Sequence, residues 1–91
     1  MRGKIQVTCE NIKIALESVG ATFADVTRTV TYTTDIAAYL AASDERFKFF
    51  NAPLPTSSLI GVACLAMPDL LVEIEVEAII ETERVRIPNY L

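Results

Sequence analysis

Residues 55–78 read Pro-Thr-Ser-Ser-Leu-Ile-Gly-Val-Ala-Cys-Leu-Ala-Met-Pro-Asp-Leu-Leu-Val-Glu-Ile-Glu-Val-Glu-Ala, and this stretch decides the fold. Its second half alternates strictly. Val72, Ile74, Val76, Ala78 and Ile80 fall on one side, and Glu73, Glu75 and Glu77 on the other. A period of two marks a strand with one apolar and one polar face. The first half, residues 57–66, is apolar on both sides, with Ile60, Val62 and Cys64 against Leu59, Ala63 and Leu65. A strand of that kind is normally buried on both faces. With Met67-Pro68-Asp69 between them, the two runs predict an antiparallel pair of strands at about 57–66 and 70–80.

Upstream of this pair, residues 5–19 read as a helix, because Ile5, Cys9, Ile12, Leu16 and Val19 recur at helical spacing and Ala15 widens the stripe. Gly20 is placed to stop it. Thr22 and Asp25 have the spacing of a capping box for one short turn. Residues 26–33, Val-Thr-Arg-Thr-Val-Thr-Tyr-Thr, are dense in β-branched residues and predict a strand. Asp35 is an N-cap candidate for a second helix over 36–50, with Ile36, Leu40, Ser43, Phe47 and Phe50 on its inner stripe and Tyr39 and Phe49 flanking it. Pro53 and Pro55 end that helix. Beyond residue 80, the strand is expected to extend through Val85 and the chain to trail off after Pro88.

The order helix, strand, helix, strand, strand predicts an α+β domain. The strand–helix–strand unit is a right-handed parallel crossover, and both helices cover one face of a mixed sheet. The doubly apolar run 57–66 then implies that the open face packs on a partner, most simply in a symmetric homo-oligomer.

Composition narrows the chemistry. The 91 residues suit a single domain over 1–91, and an apolar content of 52% excludes disorder. There is no histidine, so the commonest general base and metal ligand are missing. Cys9 and Cys64 form no metal-binding spacing and read as buried free thiols, which suits a reducing cytoplasm. No metal or cofactor is implied. No apolar run reaches the roughly 18 residues of a membrane span, and no signal-peptide core follows Arg2 and Lys4. A net charge of −4 argues against a nucleic-acid surface.

Four pieces of the chain resemble the RidA (YjgF) family. They are Glu10 to Glu17 with Gly20-Ala21, Asp25-Val26 through Val30 to Asp35, Phe49-Phe50, and the 55–78 stretch itself. The resemblance implies a chorismate-mutase-like fold, a homotrimer, and hydrolysis of small enamine or imine metabolites at clefts between subunits. It also implies an N-terminal β-hairpin, with pocket residues that include a tyrosine, which this chain lacks. A natural short form, a misassigned start and a fragment are all open as its origin.

The resemblance further implies site residues. Glu73 matches the family's glutamate, whose carboxylate would position or activate water. In the deaminase branch an arginine occupies the position of Ser57 and would hold a substrate carboxylate through a bidentate fork. Serine cannot form that fork, and residues 54–66 contain no basic side chain. Ser43 stands where the family keeps a pocket asparagine. Ser57, Ser58 and Ser43 are therefore the ligand-binding candidates and Glu73 the catalytic one. Glu73 can equally be a solvated strand charge, like Glu75 and Glu77. Two functions stand side by side: an imine or enamine hydrolase of altered specificity, and a non-catalytic small-metabolite-binding or interaction module on the same trimeric scaffold.

Overall fold

A computed structural model describes residues 1–87. Helix α1 spans Arg2–Ser18, strand β1 Val26–Thr33, helix α2 Ile36–Ala42, strand β2 Thr56–Gly61 and strand β3 Val72–Ala78. The architecture is the expected one, a small α+β unit with a mixed sheet and two helices on one face.

Helix α1 buries Ile5, Cys9 and Leu16, three members of the expected stripe. Its end is built by Gly20, which sits at φ 85°. Ala21 N–H bonds to the Leu16 carbonyl at 2.9 Å and Gly20 N–H to that of Glu17 at 3.1 Å, the paired bonds of a Schellman stop. The Thr22–Asp25 box also forms, with Thr22 N–H donating to the Asp25 carboxylate at 2.8 Å. Asp35 caps α2 by accepting from Ala38 N–H at 3.0 Å.

Several expectations need correction. The first concerns the second helix. It is α-helical only to Ala42 and continues as a 3₁₀-helix over Ser43–Lys48. The inward stripe is Tyr39 and Ala42 in the α-helical part and Glu45 one three-residue turn further on, while Ile36, Leu40 and Phe47 are exposed. Glu45 is buried as a charge and is compensated by Lys48 at 2.8 Å and Arg2 at 3.3 Å. Its carboxyl is held below the usual glutamate range, chiefly by the Lys48 hydrogen bond.

The second correction concerns pairing. The sheet order is β2-β1-β3, so the last two strands are not neighbours. Strand β1 lies between them, parallel to β2 and antiparallel to β3. The reason lies in β1, where Thr29, Val30, Thr31 and Thr33 are all buried and need a strand on each side. Its register with β3 sets Thr29, Thr31 and Thr33 against Val76, Ile74 and Val72 beneath the helices. It sets Arg28, Val30 and Tyr32 against Glu77, Glu75 and Glu73 on the open face.

The third follows from the second. Strand β2 stops at Gly61 and lies at the sheet edge, largely exposed, so the apolar run through Val62 and Cys64 is loop and not a doubly buried strand. The open face is therefore carboxylate-rich instead of apolar. Cys64 is exposed, against the expectation of burial, whereas Cys9 is buried.

After Ala78 the chain leaves the sheet. In place of a strand to Val85 there is a 3₁₀ turn, Thr82–Arg84, and Arg86 N–H bonds to the Val19 carbonyl at 2.9 Å. The expected trailing end after Pro88 lies outside the described residues.

Candidate functional site

Where the 3₁₀-helix crosses the sheet, the two surfaces do not close. A cavity of about 130 Å³ lies between them. Thr29, Thr31, Ser57 and Ile74 form its sheet wall. Arg46, Phe47 and Phe50 form the other wall, with Leu54 and Pro55 at its end. The parallel register of β1 and β2 puts Ser57 level with Thr29 on the helix-side face. The opposite wall is fixed by aromatic packing, since the Phe23 ring meets Phe50 edge-on at 4.8 Å and Phe49 at 5.6 Å.

Arg46 is the site residue that sequence reasoning missed. It is half-buried, and its Nε–H donates to the Ser43 carbonyl at 3.0 Å. Its guanidinium carbon lies 5.8 Å from the Tyr39 ring centroid and 5.7 Å from that of Phe47, within cation–π range. The signal was an arginine immediately before the aromatic run Phe47, Phe49 and Phe50. Reading that segment as α-helix put Arg46 off the inner stripe.

The four predicted site residues do not converge within one chain. Ser57 lines the cavity. Ser43 reaches it only through Arg46: its hydroxyl donates to the Leu40 carbonyl at 3.1 Å, and its own carbonyl holds the guanidinium. Ser58 pairs with Val30 and so belongs to the opposite face of the sheet. Glu73 pairs with Tyr32 on that same open face and is exposed. Strand spacing and rise put Ser57 and Glu73 roughly 14 Å apart.

The cavity brings together groups of different chemistry. It offers a cation, hydroxyls and apolar walls, and none of its lining residues is a carboxylate or thiol. Among the described residues no group of three metal-ligating side chains occurs, and no helix is long and apolar enough to cross a membrane. The Cys9 thiol is removed from any reactive role by burial, which pushes it up to about 11.

A three-stranded mixed sheet carrying two helices on one face, with a small seam cavity, defines a RidA-like α+β protein. The chain belongs to the YjgF/RidA family: the family model described as Endoribonuclease L-PSP matches residues 1–80. Rv2704 of Mycobacterium tuberculosis, a member of the YjgF/YER057c/UK114 family, is 41% identical with a TM-score of 0.73, over 78% of this chain and 60% of that one. YyfB of Yersinia pestis, from the Rid protein family, is 40% identical with a TM-score of 0.71, over 79% of this chain and 56% of that one. RidA of an Antarctic Psychrobacter is 28% identical with a TM-score of 0.69, over 75% and 55%. The chain therefore spans about three-fifths or less of the length of these relatives. No curated protein matches it significantly.

Proposed function

We propose that this RidA-family chain binds a small metabolite in the cavity beside Ser57. One observation carries the reading. The position that resembles the family's substrate-holding residue opens onto a defined cavity of about 130 Å³ with both polar and apolar walls. An apolar cavity of roughly 150 Å³ takes up benzene, so the volume suits a ligand of about six non-hydrogen atoms.

A second reading, hydrolysis of an enamine or imine, needs a carboxylate from elsewhere. Support for it comes from the sheet edges. Both β2 and β3 have one unpaired edge among the described residues, and Phe47 and Leu54 at the cavity mouth are 53% and 54% exposed. In a homotrimer, a neighbouring copy would approach these edges and bring its Glu73 to the cleft. Glu73 would then take a proton from water as the oxygen attacks the imine carbon. Collapse of the adduct would return that proton and release ammonia, leaving a carbonyl compound. The open-face carboxylates Glu73, Glu75 and Glu77 favour a small metabolite over RNA, whose phosphates call for a basic surface.

The test has two arms. Light scattering after size exclusion should give the mass of three chains. An amino-acid oxidase generating imines in the presence of the protein separates the readings. Faster imine loss that disappears in Glu73→Gln supports hydrolysis. Ligand-induced thermal stabilisation without faster loss supports binding alone. Neither effect across a panel of amino and keto acids would sink both readings.

A further inference from the structure

Thr29, Thr31 and Thr33 form a row on the helix-side face of β1, and all three are buried. The outer two spend their hydroxyls inside the protein. Thr29 donates to the Thr56 carbonyl at 3.4 Å and Thr33 to that of Leu71 at 2.8 Å. Thr31, between them, is 2% exposed, and among the described residues its hydroxyl has no hydrogen-bond partner. The only fully enclosed side-chain oxygen or nitrogen without a partner among those residues is Tyr39 Oη. The Thr31 oxygen is therefore not sealed, and its small remaining surface opens onto the cavity that Thr31 lines. A buried hydroxyl without a partner is costly. Valine, branched in the same way, would fill the place with no polar atom to satisfy.

We propose that Thr31 sets the specificity of this cavity and that the ligand is a small hydroxycarbonyl compound, bound with its hydroxyl inward. The proposal rests on reading the cavity as a metabolite site. The ligand hydroxyl exchanges hydrogen bonds with Thr31 Oγ, and the Ser57 hydroxyl at the exposed end donates to the carbonyl oxygen. Ser57 is level with Thr29, one strand over and two residues short of Thr31. Strand spacing and rise thus put Thr31 and Ser57 roughly 8 Å apart. With a hydrogen bond of about 2.8 Å at each end, a ligand lifted off the sheet has its own oxygens roughly 3–5 Å apart. Oxygens separated by two or three carbons span that distance. Those carbons lie against Phe50 and Ile74, which also line the cavity. A methyl in place of the hydroxyl has the same size. It would shut water out and leave Thr31 Oγ unpaired, so the site discriminates against it.

The experiment titrates wild-type protein and two variants, Thr31→Val and Thr31→Ser, by NMR, following amides of residues 29, 31, 57 and 74. The probes are 4-hydroxy-2-butanone and 2-pentanone, which differ only by a hydroxyl in place of a methyl. Wild type should bind the hydroxyketone about tenfold more tightly, the worth of one hydrogen bond that the ketone leaves unmade. Thr31→Val should abolish that preference, and Thr31→Ser should retain it. A merely structural threonine would shift the melting temperature on substitution but not the ratio of the two affinities. A preference that survives in Thr31→Val would therefore overturn the role of Thr31. Equal binding of the two probes to wild type, a comparison that needs no variant to fold, would overturn the hydroxyl assignment while leaving the metabolite site standing. No response of the cavity amides to either probe at tens of millimolar would sink the cavity reading, and the role of Thr31 with it.

Discussion

Two glycines show how much a single residue depends on its surroundings. Gly3 lies in the first turn of α1 with nothing within 4 Å of where a Cβ would stand. Replacing it by alanine removes only backbone freedom from the unfolded chain, so Gly3→Ala should stabilise by roughly 0.4–1 kcal/mol. Gly20 is the opposite case. It occupies the left-handed region at φ 85°, and an added Cβ would overlap the Arg84 carbonyl. A side chain in that region costs about 1–2 kcal/mol before the collision is counted. Gly20→Ala should therefore destabilise by at least about 2 kcal/mol and free the segment after residue 80, seen as earlier proteolytic cleavage there. Urea midpoints for the two variants should move in opposite directions. The sequence pointed to Gly20 as a helix stop. The close approach of Arg84, 64 positions along the chain, was not legible in it.

At the scale of elements, the clamp between the Phe23–Asp25 turn and the Thr82–Arg84 turn holds the end of the described chain in place. Arg84 donates to both Asp25 carboxylate oxygens, at 2.6 and 3.1 Å, and to Glu81. The Arg84 hydrogen bonds hold the Asp25 carboxyl below the usual aspartate range, and the Thr22 backbone N–H adds to the effect. A depressed folded-state pKa makes the unfolded state bind the proton more readily. The stabilisation is complete above about pH 5 and is lost as pH falls through the ordinary aspartate value near 3.9 and below it. A double-mutant cycle with Asp25→Asn and Arg84→Gln should show coupling at pH 7 that weakens as pH falls below the ordinary aspartate value near 3.9. Coupling that persists at low pH would rule out the ionic origin. Asp25 was recognised in the sequence because its partner Thr22 is three residues away. Arg84 was not, because no local pattern joins residues 59 apart.

For the whole molecule, the two thiols report on different things. Cys9 is fully buried among Ile5, Leu16 and Tyr39, and burial pushes its thiol up to about 11. Cys64 lies in the exposed loop after β2. A thiol reagent at pH 8 should modify one cysteine promptly in the native protein. The second should react only at the rate of global unfolding, because opening the core is the route to Cys9. Prompt reaction of both would show that α1 detaches locally. The same division between covered and uncovered surface bears on assembly. The helices cover one face of the sheet except at the seam cavity, while the open face presents Glu73, Glu75 and Glu77 around Arg28 and Tyr32. A partner on that face must satisfy charge beside the exposed Ile60, which pairs with Tyr32, whereas Phe47 and Leu54 are exposed at the cavity mouth.

By itself the sequence determined what short-range physics controls. The α1 stripe, the Gly20 stop, the Thr22 and Asp35 caps and the alternation of β3 all arise from interactions within a few residues. The resemblance of residues 55–78 added the family and the importance of position 57. Tertiary structure decided which strands meet, because β2 and β3 are each compatible with several neighbours and only the burial of β1 selects between them. It also decided the wall facing Ser57. A change from 3.6 to about 3 residues per turn rotates Arg46 into the seam, and nothing in a linear pattern of apolar residues records that rotation. The candidate site is half legible for this reason: its strand residue follows from alternation, and its cation follows from how two elements cross.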